Sequence, residues 1–505
     1  MKSITTIGVV GAGAMGRGIV QLFAQSGLKV RCYDMSAEAV SSAIDNVTQM
    51  IKKSVDKGRL PSSALEALPE NLSPASSLSD LSDCDMVVEA IVENVAVKQS
   101  LFKDLEAIIA KDAVLASNTS SLVIAEIASE CSHPERVAGL HFFNPVPLMK
   151  VVEIIAAVRT DAAVVDALKA VIGVTGHRAV ITEDQPGFLV NHAGRGLYTE
   201  GLRIVEEQVA TPAMVDTLMR EAAGFRMGPF ELMDLTGLDV SGKVMESIYQ
   251  QFLQEPRFRP SSLVPPRIAA GLFGRKTNRG WYSYAEGKRV DSGEISTPDF
   301  AKTQGKVWVD GLADQADALS AMVSGLSWEL ADKASDADLL LIQPWGQDAT
   351  HYAATNGLDA EKVVAVDPLP GLDKHRTLML SAITSNAARD MACTLFSSED
   401  VPFTVINDSP GFVCQRVLAT IVNIAANIAQ RAIATVADLE DAVRIGLGYP
   451  SGPLQIGDNV GAEKILEVLV QQQKLTGDDR YRPSLWLRRR AELGRALTSE
   501  EASRT

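Results

Sequence analysis

Over the first 185 residues, short apolar runs bounded by polar or glycine-rich turns alternate with segments of helical spacing. Residues 4–10, 28–34, 85–90, 113–117, 137–141 and 151–155 read as short, largely buried strands. Residues 19–24 and 38–59 carry their apolar positions at helical intervals, and the second of these has a basic end. The order strand, turn, helix, strand predicts a doubly wound α/β sheet. From Pro186 the pattern changes to long helices with few strands, as far as about residue 285. Residues 285–305 are polar, with Gly, Ser and Pro, and read as a linker.

The second half repeats the first. Asp184, Pro186, Gly187 and Phe188 recur as Asp408, Pro410, Gly411 and Phe412, a shift of 224. The same shift relates Gly224, Gly228, Pro229, Asp234 and Gly237 to Gly448, Gly452, Pro453, Asp458 and Gly461, and Arg257 to Pro260 matches Arg480 to Pro483 at 223. A helical domain therefore occurs twice. Upstream the repeat is fainter: residues 306–311, 338–342 and 361–367 resemble strands of the first half. At a shift of 226, Asp367 stands at the position of His141 and Met379 at that of Glu153, while Gln415 stands at that of Asn191. No GxGxxG follows Trp308, so the second copy is expected to be degenerate.

Length and charge narrow the function classes. A chain of 505 residues exceeds one core. Its 46% hydrophobic and 22% charged residues are ordinary for a globular protein. A net charge of −15 speaks against nucleic acid as a main partner. Neither a secretory leader nor a membrane-spanning run is expected. The scattered Cys32, Cys84, Cys131, Cys393 and Cys414 read as buried thiols of a cytoplasmic protein, with no metal site.

Gly11-Ala12-Gly13-Ala14-Met15-Gly16 follows a strand and opens a helix, with Asp34 eighteen residues beyond Gly16 at the end of the next strand. In that context GxGxxG predicts dinucleotide binding. Gly11 permits the turn, Gly13 lets the backbone approach a pyrophosphate, and Gly16 allows close packing. Asp34 suits a ribose diol, and Met35 and Ser36 offer no cation for a 2′-phosphate, so NAD is expected. His141 ends a strand, and Glu153 follows twelve residues later. An imidazole oriented by a carboxylate can take a proton as hydride leaves a secondary alcohol. A core histidine with an unrelated carboxylate is the competing reading. Ser120 follows a strand at the ligand-binding edge of the sheet, or else caps a helix at residues 122–127. Lys52, Lys53, Lys57 and Arg59 form a basic cluster that suits a phosphate or is merely a solvated helix end.

These motifs, together with Val88 to Glu93, Ser117 to Ser121, Gly139 to Pro145, Asp184 to Phe188 and Gly274 to Thr277, resemble those of the 3-hydroxyacyl-CoA dehydrogenase family over residues 1–285. The resemblance implies an α/β chain. A Rossmann-type NAD-binding domain (1–185) precedes an all-helical, 6-phosphogluconate-dehydrogenase-like substrate and dimerisation domain (186–285). A degenerate Rossmann-like domain (306–404) and a second helical domain (405–505) follow. It implies His141 as general base or acid, Glu153 as its partner, and Ser120 and Asn191 as holders of the substrate. Gly11, Gly13, Ala14, Met15, Gly16, Asp34, Glu93, Lys98, Ser120, Asn144 and Lys276 would contact NAD, and Lys57 the acyl-CoA substrate. Met50 departs from the polar residue that family members carry there. His177 and His192 have no assigned role. The tandem arrangement resembles the long members of the family, which implies oxidation of (S)-3-hydroxyadipyl-CoA in bacterial phenylacetate degradation. 3-Hydroxybutyryl-CoA, general fatty-acid oxidation, a CoA-independent 3-hydroxyacid and a non-catalytic NAD-binding role are the alternatives. Where shorter relatives pair as dimers, the two helical domains of this chain are expected to pair internally, with further homo-oligomerisation left open.

Overall fold

The computed structural model describes residues 3–291 and 299–501, so most of the expected linker is described while its middle, 292–298, lies outside the described residues, as does the end of the last expected domain. An eight-stranded sheet is built from β1 (Thr6–Val10), β2 (Lys29–Tyr33), β3 (Leu72–Pro74), β4 (Met86–Glu89), β5 (Val114–Ser117), β6 (Val137–Phe142), β7 (Val151–Ala156) and β8 (Arg178–Glu183). Its order is β3-β2-β1-β4-β5-β6-β7-β8. Neighbours are parallel except β6 and β7, which are antiparallel with His141 opposite Glu153. Apolar side chains cover both faces of this sheet, as the near-continuous hydrophobic runs require. Strands β3 and β8 escape the periodicity reading. The first is three residues long with two exposed, and the second carries charged ends.

A short hairpin, β9 (Tyr284–Ala285) and β10 (Lys288–Arg289), ends the first helical region. The second sheet contains β11 (Lys306–Val309), β12 (Glu329–Leu330), β13 (Leu339–Ile342), β14 (Val363–Val366), β15 (Arg376–Leu380) and β16 (Phe403–Ile406) in the order β12-β11-β13-β14-β15-β16. Its antiparallel pair is β14 with β15.

Side-chain bonds show how far the duplication reaches. Asp184 accepts from the backbone of Ile124 and Ala125, and Asp408 accepts from Ala349 and Thr350. Asp234 holds the N–H groups of Trp281 and Tyr282, and Asp458 those of Leu497 and Thr498. Asp85 accepts from the first residue of β1, and Asp338 from the first residue of β11. Thus β13 corresponds to β4. Thr160 donates to Val137 and Thr384 to Val363, so β14 corresponds to β6. Among the described residues the second copy therefore has no counterpart of β5 or of the loop after it that carries Ser120.

One expected correspondence is corrected. Asp367 donates its N–H to Thr377 O, whereas Met379 pairs with Ala365. The turn between β14 and β15 is two residues shorter than that between β6 and β7, so Thr377, not Met379, stands where Glu153 stands. Gln415 donates to Asp367 across 3.0 Å, with both side chains buried. Burial pushes the Asp367 carboxyl up to about 7, which favours its neutral form. An aspartate bonded by an amide stands where the first copy has its histidine–carboxylate pair.

By contact density the chain parts into two units, residues 1–192 with 431–447, and residues 193–430 with 448–505. In the first, Arg178 pairs with Asp438 and Asp441, and Glu183 N–H donates to Ile433 O, so a piece of the second copy completes the edge beside β8. In the second, helix Arg195–Glu206 packs on helix Val413–Gln430, where a Cβ on Gly196 would lie 3.0 Å from the Ile421 backbone. The buried Arg416 binds Glu200 at 2.7 Å, Glu207 at 2.8 Å and Tyr481 at 3.1 Å. The five cysteines are buried free thiols; burial, with Asp83 nearby, pushes Cys84 up to about 12. Among the described residues no helix is long and apolar enough to cross a membrane.

Candidate active site

The glycine loop lies between β1 and helix Ala14–Gln25. Gly11 has φ +108°, and a Cβ there would meet Ala90 O at 2.5 Å. A Cβ on Gly16 would lie 1.8 Å from Gly11 O, so this glycine lets the helix close on the loop itself. A Cβ on Gly13 would meet nothing within 4 Å, which leaves its backbone open to a ligand. Gly13 caps the helix without a side-chain bond, so free N–H groups and the positive dipole end remain for an anion. Ala14 is exposed in the first turn, and Met15 packs against the core.

Asp34 is held from two sides, by Ala12 N–H at 2.8 Å and Ser36 N–H at 3.1 Å. It lines a cleft of about 960 Å³ with Gly11, Gly13, Tyr33 and Met35. No lysine or arginine lines that cleft, and Asp34 and Asp104 do. The open glycine, the free helix end and the carboxylate fit NAD and disfavour a 2′-phosphate.

A buried network lies beyond β4 and β5. Glu89 accepts from Ile91 N–H at 2.7 Å, Lys98 Nζ at 2.5 Å and Ser117 Oγ at 2.6 Å. Lys98 is 1% exposed, and its ammonium also reaches Glu93 at 3.3 Å. Glu93 accepts from Thr119 Oγ1 at 2.5 Å, from the Ser120 backbone at 3.2 Å and from Ser121 Oγ at 3.0 Å. Burial alone would raise the Glu93 carboxyl, but the Thr119 hydrogen bond and the Lys98 charge outweigh it and lower it. The helix expected at residues 122–127 is Ile124–Ile127, and Asp184 rather than Ser120 accepts its first N–H groups. Sequence reasoning missed Glu89, Ser117 and Thr119; a second glutamate four residues before Glu93 was the available signal.

His141 is buried, with its ring 4.5 Å from Phe143 and 5.8 Å from Phe188. Its Nδ1 lies 2.5 Å from Glu153 Oε2. Glu153 Oε1 accepts from Leu189 N–H at 2.9 Å and Val190 N–H at 2.7 Å. An ionised carboxylate only accepts, so Nδ1 carries the proton and Nε2 presents its lone pair. This is the tautomer a general base needs. Asn191 follows Val190 in helix Val190–Ala193, the segment that holds Glu153. His177 bonds the Val146 carbonyl at 3.1 Å and Thr175 at 3.2 Å.

Lys53, Lys57 and Arg59 share a groove of about 590 Å³ with Arg17, Lys150, Met50 and Asn144, without an acidic side chain in its lining. Lys52 does not line it. Arg17 and Lys150 come from distant segments and carried no sequence signal. Lys276 belongs to the other unit, where its ammonium pairs with Asp239 at 2.5 Å.

Comparison with known proteins agrees with this geometry. Residues 6–185 match the profile described as "3-hydroxyacyl-CoA dehydrogenase, NAD binding domain". Residues 187–284 and 411–503 match "3-hydroxyacyl-CoA dehydrogenase, C-terminal domain". The chain is 36% identical over 498 residues to the 3-hydroxyadipyl-CoA dehydrogenase of Escherichia coli K12, covering 98% of each. It is 36% identical over 282 residues to the mitochondrial hydroxyacyl-coenzyme A dehydrogenase of Sus scrofa, covering 55% of this chain and 90% of that one. A crystal structure of 3-hydroxybutyryl-CoA dehydrogenase from Escherichia coli K12 superposes with a TM-score of 0.85 at 35% identity, covering 97% of this chain and 99% of that one. The chain belongs to the 3-hydroxyacyl-CoA dehydrogenase family and is an NAD-dependent oxidoreductase.

Proposed function

We propose that this enzyme reversibly oxidises the C3 hydroxyl of (S)-3-hydroxyadipyl-CoA to the ketone, a step of bacterial phenylacetate degradation. The observation that carries the chemistry is the clamp on Glu153: two backbone N–H groups on one oxygen and His141 Nδ1–H on the other. His141 Nε2 takes the hydroxyl proton, and Glu153 stabilises the imidazolium that results. NAD, when bound, supplies the hydride acceptor. Gly11, Gly13, Ala14, Met15 and Gly16 hold its phosphates, and Asp34 holds its ribose. Ser120 bonds the C3 oxygen, and Asn191 also holds the substrate. Glu93 and Asn144 serve the nicotinamide half. Lys98, with its ammonium committed to Glu89 and Glu93, acts by positioning Glu93. Lys57, with Arg17, Lys53, Arg59 and Lys150, receives the CoA phosphates.

The relative spanning 98% of the chain supports the adipyl substrate by its name, while the solved structure of similar length is named for butyryl. Steady-state kinetics on 3-hydroxybutyryl-, longer-chain and 3-hydroxyadipyl-CoA, followed by NADH absorbance, test this reading. A kcat/KM at least about tenfold higher for the adipyl thioester is expected, a difference of about 1.4 kcal/mol in transition-state binding. Equal rates overturn the substrate, and no turnover with any thioester overturns the reaction.

We infer further that segments 1–185, 186–285, 306–404 and 405–505 descend from a duplicated pair of domains. The two helical domains pair within one chain as a pseudo-dimer, and the protein works in the cytoplasm. The Glu200–Arg416–Tyr481 contacts and the pairing of Arg257 with the Arg482 carbonyl join equivalent parts of the two copies and support this reading. A fragment ending near residue 290 loses helix Val413–Gln430 and residues 431–447, which exposes apolar surface. It is expected to aggregate or self-associate in gel filtration. A soluble, fully active monomeric fragment contradicts the pseudo-dimer.

A further inference from the structure

We propose that Asn118 is a positioning residue for the chemical step, holding the main chain of His141 in register with the groups beside the nicotinamide. The inference rests on His141 as the general base and adds which residue sets where that base stands.

Strand β6 outruns its neighbour on one flank. The ladder between β5 and β6 ends with Ser117 opposite Gly139, whereas β6 continues to Phe142. On the other flank β7 stays paired with it as far as Phe142 opposite Val152. His141 therefore has a partner strand on one side only. On the open side the half-buried Asn118 stands in for main chain: its Oδ1 accepts from Phe142 N–H at 2.9 Å. The acceptor of an N–H must be the amide oxygen, so this bond also fixes which way the side chain is turned. That N–H belongs to the peptide unit that starts at the His141 carbonyl. A planar peptide anchored at its N–H sets the ψ angle of the residue before it. Glu153 fixes the ring of His141, and Asn118 fixes the backbone that carries the ring.

The other end of the bond is held as firmly. Asn118 N–H donates to the Glu89 carbonyl at 2.9 Å. Its chain neighbours bond the two glutamates of the buried network: Ser117 Oγ donates to Glu89, and Thr119 Oγ1 donates to Glu93. Three consecutive residues thus hold Glu89, the strand of His141 and Glu93. The fourth is Ser120, assigned above to the C3 oxygen. One short segment therefore spaces the base, the holder of the reacting hydroxyl and the carboxylate on the nicotinamide side. Reaction at the hydroxyl depends steeply on that spacing, because a misplacement of about 1 Å can cost about 10²-fold in rate.

The internal repeat provides a control within the molecule. At the shift of 226 that places Asp367 at His141, the counterpart of Phe142 is Pro368, which has no N–H to donate. Among the described residues β14 pairs directly with β13, the counterpart of β4, so no strand stands where β5 would carry a counterpart of Asn118. Both ends of the bond are therefore missing from the copy that lacks the histidine. The second sheet keeps the same antiparallel turn after β14 and does without the bond. A bond that merely finished the sheet would be wanted in both copies, whereas this one follows the acid–base pair.

The test uses the full chain, with NADH and acetoacetyl-CoA as the probe pair. Asn118→Leu keeps the size of the side chain without an acceptor, and Asn118→Asp keeps an oxygen in the same place. In Asn118→Leu, kcat is expected to fall about 10- to 100-fold, with KM for the thioester within about threefold and Kd for NADH within about twofold of the parent. Asn118→Asp should bring kcat back to within about fivefold of the parent. Asn118→Ala, also without an acceptor, serves where the leucine variant fails to fold. A parent-like kcat in the acceptor-free variants overturns the assignment, whether or not Tm falls, because the bond is then structural only. An equal loss in the aspartate and acceptor-free variants overturns it too, since the amide N–H groups and not the oxygen would then matter. A loss in KM or NADH affinity in place of kcat assigns Asn118 to ligand binding instead. Failure of the parent reading is distinct: His141→Gln then keeps its turnover.

Discussion

Replacing His141 with glutamine is expected to lower kcat by about 10²- to 10⁴-fold while leaving the Kd for NADH within about twofold of the parent. Glutamine fills similar space and keeps a polar end, but it cannot carry the proton away. The nucleotide contacts proposed above lie in the glycine loop and at Asp34, Glu93 and Asn144, whereas the side chain that bonds the His141 ring is Glu153. The effect should fall on kcat and kcat/KM alike, because the lost interaction is made at the reacting hydroxyl. NADH fluorescence titration and stopped-flow turnover separate the two quantities. Near-normal turnover removes His141 from the mechanism, and a matching collapse of NADH affinity assigns it to binding.

Glu89→Leu is expected to destabilise the NAD-binding unit by about 3–5 kcal/mol. Glu89 is fully buried and accepts from an ammonium, a hydroxyl and a backbone N–H. Its loss strands Lys98, 1% exposed, with Glu93 at 3.3 Å as its remaining carboxylate. A buried charge without its partner costs far more than the pair ever contributed. Thermal unfolding should therefore show a lowered Tm, and saturating NADH should recover part of it by mass action. The double variant Glu89→Leu with Lys98→Met removes both charges and should regain much of the stability. Its turnover should stay low, because Glu93 loses the cation that positions it. A single variant within about 0.5 kcal/mol of the parent would show that the network is idle.

Several features of the site were open to sequence reading because neighbours along the chain impose them. A turn with φ +108° admits glycine at position 11, and the close contact at Gly16 leaves no room for a side chain, whatever the rest of the molecule does. The duplication, too, is written in residues that recur at one shift, and Asp184 and Asp408 each make the equivalent bond in their own copy, to Ile124 and to Ala349. The register of β15 was not readable, because a turn shortened by two residues moves Thr377 into the place assigned to Met379 without changing the apolar pattern. Nor was the burial of Lys98. A lysine on a helix reads as solvated until Glu89 and Glu93 are seen beside it.

What the linear order of residues determined was the alternation of strand and helix, the dinucleotide loop, the choice of NAD and the presence of a second, failed copy. Each follows from periodicity, backbone sterics or the loss of a required residue type, all properties of short stretches. What only the tertiary structure decided was which nitrogen of His141 faces Glu153 and which cations join Lys57 in one groove. Those outcomes depend on groups far apart in the chain meeting where water is excluded. There a missing or extra partner costs several kcal/mol, and no local rule records it.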